Sequence, residues 1–438
     1  MIKPVIGCYA VLDATEIGWE NAGAQLDVLC RCINAAGMTA VKSPEIVRDD
    51  ASAARVAVFF AGQPIDVLQP LIVTWSFDHF TYRIWQEKPV PVVVRTIPGI
   101  STGSTVGGQQ LGCLLSELEI PHKLLFAPLD DVAVCLRMFP FAAAAALKRR
   151  LTGKKIVMIG RRTPGMTPIM FDEIEIMKLF GMTVATCGMD EFRENYLEKV
   201  PTAEAERAWE EVSAKAESVT SGLAEGIYTM KEYLGLKKLI LETGCSAITL
   251  GTYPECQGTA CLPLALLNDA GFPAGCEGDL NSTIAMLLLS ELSGKPTHFG
   301  EMVDVDLVND EIYTTHCGAG APSFADERGF VLCPVRLAET GVCIRYCAYC
   351  SDITYVCLTG RRGTYRISSF EGTPLPTEMV YDGNPLRFKL KTPAQEIWDI
   401  TAKNGFHHHW ITGLGNWNET LREFAALAGI KGVFPDID

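Results

Sequence analysis

Short apolar runs alternate with longer segments of helical periodicity along about the first two thirds of the chain. Candidate buried strands lie at residues 2–9, 56–60, 71–74, 90–95 and 155–160. Residues 21–37 predict a helix that ends at a glycine, and residues 202–234 predict one long, exposed amphipathic helix. Because strands that alternate with helices are typical of parallel sheets, this part predicts two α/β domains.

The clearest example is a predicted βαβ unit, whose two strands should be parallel. Its strand, helix, second strand and buried helix lie at residues 247–250, 259–270, 272–275 and 280–292. Glu255 follows the first strand, and Glu277 and Asp279 follow the second. These carboxylates should meet at one sheet edge, where a cation or a shared proton would relieve their repulsion. The alternative is that Asp279 only caps its helix and Glu255 is only a solvated loop residue.

Beyond about residue 300 the pattern becomes β-rich, with Gly and Pro between the runs. The segment LTGRRGTYRI predicts a hairpin, and residues 418–428 predict a closing helix. The expected fold class is α/β, with two doubly wound α/β domains followed by a β-barrel-like C-terminal domain. The expected domains are residues 1–152, residues 153–300 with the acidic site, and residues 301–438.

Composition narrows the function classes. The chain has 438 residues, 48% hydrophobic and 21% charged, which is typical of a globular protein of several domains. Its formal net charge of -14 argues against a nucleic-acid partner. No segment is long and apolar enough to predict a membrane span, and the start, MIKPVIGCYA, does not resemble a signal peptide. Together with 16 scattered cysteines, this favours a reduced, cytoplasmic location.

Histidine provides two further candidates. Only seven histidines occur, and three are consecutive: His407, His408 and His409. In an extended run His407 and His409 would point one way and His408 the other, so at least one should reach a pocket and could bind a metal. A hydrogen-bonded surface cluster is the alternative. His316, between the α/β and β-rich regions, could contact a substrate or be a satisfied buried imidazole.

The spacing of Cys343, Cys347 and Cys350, C-x3-C-x2-C, matches that of radical S-adenosylmethionine enzymes, whose thiolates hold an iron–sulfur cluster. The β/α barrel that should follow this motif has no room in the remaining 88 residues. These thiols are therefore better interpreted as small buried residues of strands.

Several motifs together resemble the L-fucose/L-arabinose isomerase family of aldose–ketose isomerases. They are YPECQG, CLPLALLNDAGFPAGCEGD, AMLLLSELSGKP, THCG and HHHWITGLGNWNETL. The resemblance follows the domain order of the whole chain. It implies a manganese ion, with magnesium as the alternative, bound by Glu255, Asp279 and His409. His409 is selected from the triplet by its spacing to Gly415 and Leu421, and His407 and His408 remain open.

The resemblance also implies the chemistry and the assembly. Moving a carbonyl from C1 to C2 of a sugar needs proton exchange between the two carbons and stabilisation of an enediolate, which a divalent cation provides. Glu255 and Asp279 would exchange the protons. The implied assembly is a homo-trimer or homo-hexamer with shared active sites. Trp75, His79 and Arg95 are candidates to cover a neighbour's site, and His316, Trp75 and Arg95 are predicted substrate contacts.

The resemblance leaves the sugar open, since neutral and sulfonated aldoses both occur among substrates of such enzymes. A non-catalytic sugar-binding protein built from two hinged α/β domains is the alternative function. It would need no metal, and the β-rich C-terminal region is not expected for it.

Overall fold

The computed structural model describes residues 1–254, 256, 258–336, 338–361 and 363–435. These residues form two compact units. One is residues 2–149, and the other is Met1 together with residues 150–438. The further division of the second unit near residue 300 stays a prediction.

The N-terminal unit is an α/β structure around one parallel sheet of five strands, in the order β2-β1-β3-β4-β5. Its elements in chain order are β1 (Val5–Val11), α1 (Ala22–Ala35), β2 (Thr39–Lys42), α2 (Asp50–Ala61), β3 (Val67–Ile72), α3 (His79–Glu87), β4 (Val92–Thr96), α4 (Ser104–Glu117), β5 (His122–Phe126) and α5 (Val132–Leu151). Strands β3 and β4 are buried along their whole length, which explains their continuous apolar runs.

The strand predicted at residues 56–60 is wrong, because these residues lie in helix α2. The side chain of Asp49 accepts a hydrogen bond from the backbone N–H of Ser52, and Ser52 bonds back to Asp49 in a capping box. This start signal stands seven residues before the apolar run. A short apolar run does not by itself distinguish a buried strand from one face of a helix.

The second unit begins with another parallel sheet, in the order β10-β9-β6-β7. Its elements in chain order are β6 (Lys155–Ile159), α6 (Glu173–Phe180), β7 (Thr183–Cys187), α7 (Met189–Phe192), α8 (Thr202–Ser213), β8 (Ser218–Val219), α9 (Leu223–Thr243), β9 (Ala247–Leu250), α10 (Cys261–Asp269), β10 (Ala274–Gly275) and α11 (Leu280–Ser293). The βαβ unit is confirmed, since β9 and β10 pair in parallel and α11 is a buried helix.

The single long helix predicted at residues 202–234 is wrong. Helix α8 ends at Ser213, and α9 begins at Leu223. Between them, strand β8 pairs in parallel with Val331 and Leu332, more than a hundred residues further along the chain. No local pattern announces this pairing, because the hydrogen-bond partners of β8 come from a distant segment.

The rest of the second unit contains a closed antiparallel barrel of six strands, in the order β15-β18-β11-β12-β17-β16, closed by pairing of β16 with β15. The elements are β11 (Thr297–Asp306), β12 (Glu311–Thr315), β13 (Val331–Val335), β14 (Thr340–Arg345), β15 (Ile353–Thr359), β16 (Arg366–Leu375), β17 (Leu386–Leu390), α12 (Ala394–Asn404), β18 (His409–Leu414), α13 (Asn418–Ala428) and β19 (Lys431–Gly432). The predicted hairpin is the pair β15–β16, and the predicted closing helix is α13.

The expected fold class is confirmed as far as a mixed α/β structure with a C-terminal antiparallel barrel. The doubly wound arrangement stays a prediction. Within the described part of the chain, no helix has both the length and the apolar character that crossing a bilayer requires.

Candidate metal centre

Glu277 lies two residues after the end of strand β10, at the sheet edge where the βαβ unit predicts carboxylates. Its φ of 63° is left-handed, which a glutamate adopts only where its surroundings hold it. Its N–H donates to Thr252 Oγ1 at 3.2 Å, and its C=O accepts from the N–H of Thr163 at 3.0 Å. The strained backbone is thus clamped from two loops, and this fixes the direction of the carboxylate.

Asp279 caps helix α11, so the capping alternative describes part of its role. Its Oδ1 accepts from the N–H of Ser282 at 3.0 Å, and its Oδ2 accepts from Ser282 Oγ at 2.6 Å. The side chain is fully buried. Asp279 has a second partner as well, because the same Oδ2 lies 2.8 Å from His409 Nδ1.

The run of three histidines leads into barrel strand β18, which begins at His409. Their side chains alternate in direction, as those of an extended segment should. His407 and His409 turn toward Asp279, with His407 Nε2 3.9 Å from Asp279 Oδ2. The side chain of His408 is 40% exposed, whereas those of His407 and His409 are buried. His407 Nε2 also lies 3.2 Å from the carbonyl oxygen of Leu358. His409 reaches furthest into the acidic loops, since its Nε2 lies 3.0 Å from Glu277 Oε2.

Glu301 completes the group and was not found from the sequence. It lies on strand β11, directly opposite His409 in the antiparallel pair β11–β18. Its Oε1 is 3.8 Å from His409 Nε2 and 3.9 Å from His408 Nε2. We refer to Glu277, Asp279, Glu301, His407, His408 and His409 as the imidazole–carboxylate cluster.

Opposite charges decide the protonation of the buried pair. Burial alone would raise the pKa of Asp279, but His407 and His409 lower it to about 2. Burial would lower the pKa of His409, but Asp279 and Glu277 raise it to about 9. Without a cation the imidazole of His409 is therefore protonated at neutral pH. A cation bound by this nitrogen has to displace its proton.

The pKa values of Glu277 and His408 are shifted for related reasons. Burial opposes the ionisation of Glu277, but the neighbouring imidazoles of His409, His316 and His408 lower its pKa. Burial and the charge of His409 lower the pKa of His408 to about 4, so His408 is neutral and able to bind a metal.

The cluster fits a divalent cation in two ways. His409 Nε2 and Glu277 Oε2 are buried and lie 3.0 Å apart, and apart from this contact with each other neither has a hydrogen-bond partner among the described residues. Ligand atoms from Glu277, Glu301, His408 and His409 lie within 4.8 Å of one another, as do atoms from Asp279, His407 and His409. A ligand set of carboxylates and imidazoles suits Mn²⁺ or Mg²⁺, whereas thiolate ligands select softer metals.

His316 is beside the cluster. Its ring centroid is 6.2 Å from that of His409, and its Nδ1 is 3.6 Å from Cys317 Sγ. Burial would lower the pKa of His316, but Cys317, Glu301 and Glu277 raise it to about 10. A cavity of about 40 Å³, lined by Glu277, Cys317 and Tyr253 among others, adjoins this side. The structure thus brings His316 to the site, and its contact with a substrate stays a prediction.

The other predicted site residues have different outcomes. Glu255 lies outside the described residues, and Asp279 and His409 come together as expected.

Trp75 and Arg95 belong to the N-terminal unit, where Trp75 Nε1 donates to Gln110 Oε1 at 3.0 Å. Arg95 is fully buried on β4 and donates to the carbonyl oxygen of Pro128. His79 is exposed and lies 3.2 Å from Asp50. Their contact with a sugar stays a prediction.

The cysteine motif shows no arrangement for a metal. Cys343 and Cys347 are buried, and Cys350 is partly buried. Cys343 lies on β14 opposite Cys333, with 3.6 Å between the two sulfur atoms. Among the described residues, no group of three or more potential ligands with metal-like spacing contains a cysteine. The interpretation of these thiols as small buried residues agrees with this packing.

Two members of the cluster were missed as site residues for different reasons. The sequence predicts Glu277 as one of three converging carboxylates, and its place two residues after the strand predicted at residues 272–275 is the available signal. Glu301 carries no such signal, because its role depends on the register between β11 and β18. His408 was left open within the triplet.

No family model matches the sequence. The sulfoquinovose isomerase of Alkalicoccus urumqiensis is 24% identical over 390 residues, 84% of this chain and 86% of that protein. The sulfoquinovose isomerase of Priestia aryabhattai is 23% identical over 84% of this chain and 85% of that protein. The L-arabinose isomerase of Bifidobacterium adolescentis is 22% identical over 74% of this chain and 68% of that protein. The resemblance drawn from the motifs is therefore confirmed: over most of its length the chain is similar to sulfoquinovose and L-arabinose isomerases, sugar ketol isomerases of the L-fucose/L-arabinose isomerase-like family.

Proposed function

We propose that this protein is a divalent-metal-dependent aldose–ketose isomerase that acts on a free sugar through an enediol(ate). The observation that carries the metal dependence is the buried pair His409 Nε2 and Glu277 Oε2, which lie 3.0 Å apart and, among the described residues, have no hydrogen-bond partner other than each other. The similarity to sulfoquinovose and L-arabinose isomerases supports the reaction type. It also speaks against the alternative of a non-catalytic sugar-binding protein.

We assign the cation, Mn²⁺ or Mg²⁺, to Glu277, Glu301 and His409, with Glu255 as a further predicted ligand. When bound, it stabilises negative charge on the sugar oxygens during isomerisation. Asp279 was predicted as a direct ligand. Because both of its oxygens already accept hydrogen bonds and one holds His409 Nδ1, we assign it the positioning of this imidazole.

Proton exchange between C1 and C2 needs a carboxylate that is ionised and within reach of the sugar. Asp279 was predicted for this role, but it is fully buried. Glu277 fits better, because its pKa is lowered and it lines the small cavity. We therefore propose Glu277 and Glu255 as the proton-exchanging pair. The imidazolium of His316 would stabilise charge that develops on a substrate oxygen.

We take a sulfonated hexose as the first substrate to test, because two of the relatives are named for sulfoquinovose. The anionic group distinguishes this class from neutral aldoses such as L-arabinose, for which other relatives are named. A homo-trimer or homo-hexamer stays part of the proposal, and light scattering of the purified protein tests it.

The deciding experiment is a metal-dependence assay. The protein is stripped with a chelator, Mn²⁺ or Mg²⁺ is restored, and ketose formation is followed for sulfoquinovose, L-arabinose and L-fucose. We expect turnover only with metal, and a loss of about 10³-fold in kcat for Glu277→Gln. Glu419→Gln, an exposed carboxylate in the first turn of α13, is the matched control and should keep full activity. Tight sugar binding without turnover, unchanged by chelation, would instead support the binding-protein alternative.

A further inference from the structure

A second polar pocket lies in the second unit, between the β15–β16 hairpin and the segment that follows β6. It has a volume of about 320 Å³ and is lined by Thr167, Thr359, Arg361, Thr364 and Arg366 among others. We call it the arginine pocket. None of its lining residues belongs to the imidazole–carboxylate cluster.

Arg366 is fixed at one wall of this pocket. Its guanidinium donates to the carbonyl oxygens of Asn404, Thr364 and Gly405. Carbonyl oxygens satisfy N–H groups but carry no formal charge, so the positive charge has no counter-ion within the described part of the chain. Partial burial lowers the pKa of Arg366, as expected for a cation that no carboxylate stabilises.

Arg361 is exposed, and among the residues that the structure describes its guanidinium has one hydrogen-bond partner, the thioether sulfur of Met170 at 3.1 Å. A thioether is a weak acceptor, so most of the donor capacity of this side chain is unused. In the described part of the chain, no carboxylate lies within 4.0 Å of Arg361 or Arg366. Arg328, on another surface pocket, is different, because Asp326 and Glu378 lie 2.6 and 3.5 Å from it.

The other donors of the pocket are hydroxyl groups. Thr167 and Thr364 are exposed, and Thr359 is nearly buried at the end of β15. The O–H of Thr364 already donates to the backbone carbonyl oxygen of Arg361. Two guanidinium groups and the hydroxyls of Thr167 and Thr359, with no acid among the described lining residues, form a donor set suited to a tetrahedral oxyanion. The volume is that of a small-molecule pocket, since these begin at about 300 Å³.

We propose that the arginine pocket is a binding site for a small molecule that carries a phosphate, sulfate or sulfonate group. The oxyanion would lie between Arg361 and Arg366, with threonine hydroxyls as further donors. Strand β15 connects the arginine pocket to the imidazole–carboxylate cluster. The carbonyl oxygen of Leu358 accepts a hydrogen bond from His407, and the next residue, Thr359, lines the pocket. The occupant is therefore either the anionic end of a substrate or a separate effector.

Calorimetric titration with inorganic sulfate, phosphate and methanesulfonate, at constant ionic strength, tests the site without relying on activity. We expect saturable binding to the wild-type protein, weakened at least about tenfold in Arg361→Met. Thr167→Val, which removes only an exposed hydroxyl, should weaken binding less. Arg328→Met is the matched control, with the same loss of charge at an arginine that already has carboxylate partners, and should bind as the wild type does.

Displacement experiments distinguish the two sources of the anion. If sulfoquinovose but not a neutral hexose displaces sulfate, the pocket holds the anionic end of that sugar. If neither sugar displaces it, the pocket is a separate effector site. Absence of saturable binding to the folded wild-type protein would overturn the proposal. Undiminished binding to Arg361→Met would overturn the location. Either failure leaves the isomerase proposal standing, because that proposal is tested by metal-dependent turnover.

Discussion

Two fully buried carboxylates in the second unit have opposite properties. Asp279 lies between two imidazoles and two donors from Ser282, and its pKa is lowered to about 2. Glu232 lies on the buried face of α9. Burial raises its pKa to about 7, and only Thr259 and Arg193 oppose this shift.

The difference shows that burial alone does not make a metal site. Both carboxylates are removed from water, but only Asp279 has neighbours that stabilise its charge. At neutral pH Asp279 is an anion that holds His409, whereas burial raises the pKa of Glu232 to about 7. Asp279 can therefore contribute to metal binding through the imidazole that it holds. The raised pKa of Glu232 reflects mainly the free-energy cost of burying a charged carboxylate.

The largest expected difference between the two is in activity. Asp279→Asn removes the charge that holds His409 Nδ1, so we expect metal affinity and kcat to fall by about 100-fold. The pKa of His409, measured by NMR in the metal-free variant, should fall from about 9 toward its ordinary value. Glu232→Gln is the matched control and should keep both activity and metal affinity. Equal losses in both variants would contradict the assignment.

A second difference concerns stability. Because the folded-state pKa of Glu232 is raised above its unfolded value, its favourable contribution is complete below about pH 4.5 and is lost as the pH rises through about 7. The Glu232→Gln substitution should therefore be more favourable for the free energy of unfolding at about pH 8 than at about pH 4. We expect the difference between its effects at the two pH values to be about 3 kcal/mol.

Urea unfolding at both pH values measures this gain, and comparing the two removes any constant effect of the amide. The control is Glu242→Gln, an exposed carboxylate on the same helix, which should show little change with pH. A pH-independent effect of Glu232→Gln would mean that Glu232 finds a partner in solution.

The smallest expected effect is the pH dependence of the stability of the metal-free protein. Asp279 stabilises the fold above its unfolded pKa, and this contribution is lost as the pH falls toward about 2. His409 stabilises it below about pH 6.5, and this contribution is lost as the pH rises through about 9. In chelator we expect a decline of about 2 kcal/mol across that upper range, which His409→Gln removes. His79→Gln, an exposed histidine, should leave the decline unchanged, and a flat wild-type profile would refute the coupling.

The two helices around residues 202–243 illustrate what a local pattern leaves out. The charge pattern correctly indicates exposed helix, but it does not show that the chain breaks at Ala214 and pairs with β13. The backbone of Glu217 donates to Phe330, and that of Thr220 donates to Leu332. Such partners lie far along the sequence, and the free energy of a strand pair depends on both of them.

The sequence by itself determined the alternation of strands and helices, the parallel pair β9–β10 and the C-terminal β-rich region, which follow from local periodicity and helix stops. The approach of Asp279 to His409 was implied only by the family resemblance, because the residues alone left the three histidines open. Only the tertiary structure decided that Glu301 faces His409 and that Asp279 takes Nδ1 while Glu277 lies at Nε2. Register between distant strands and the orientation of an imidazole depend on packing in three dimensions, which no single segment encodes.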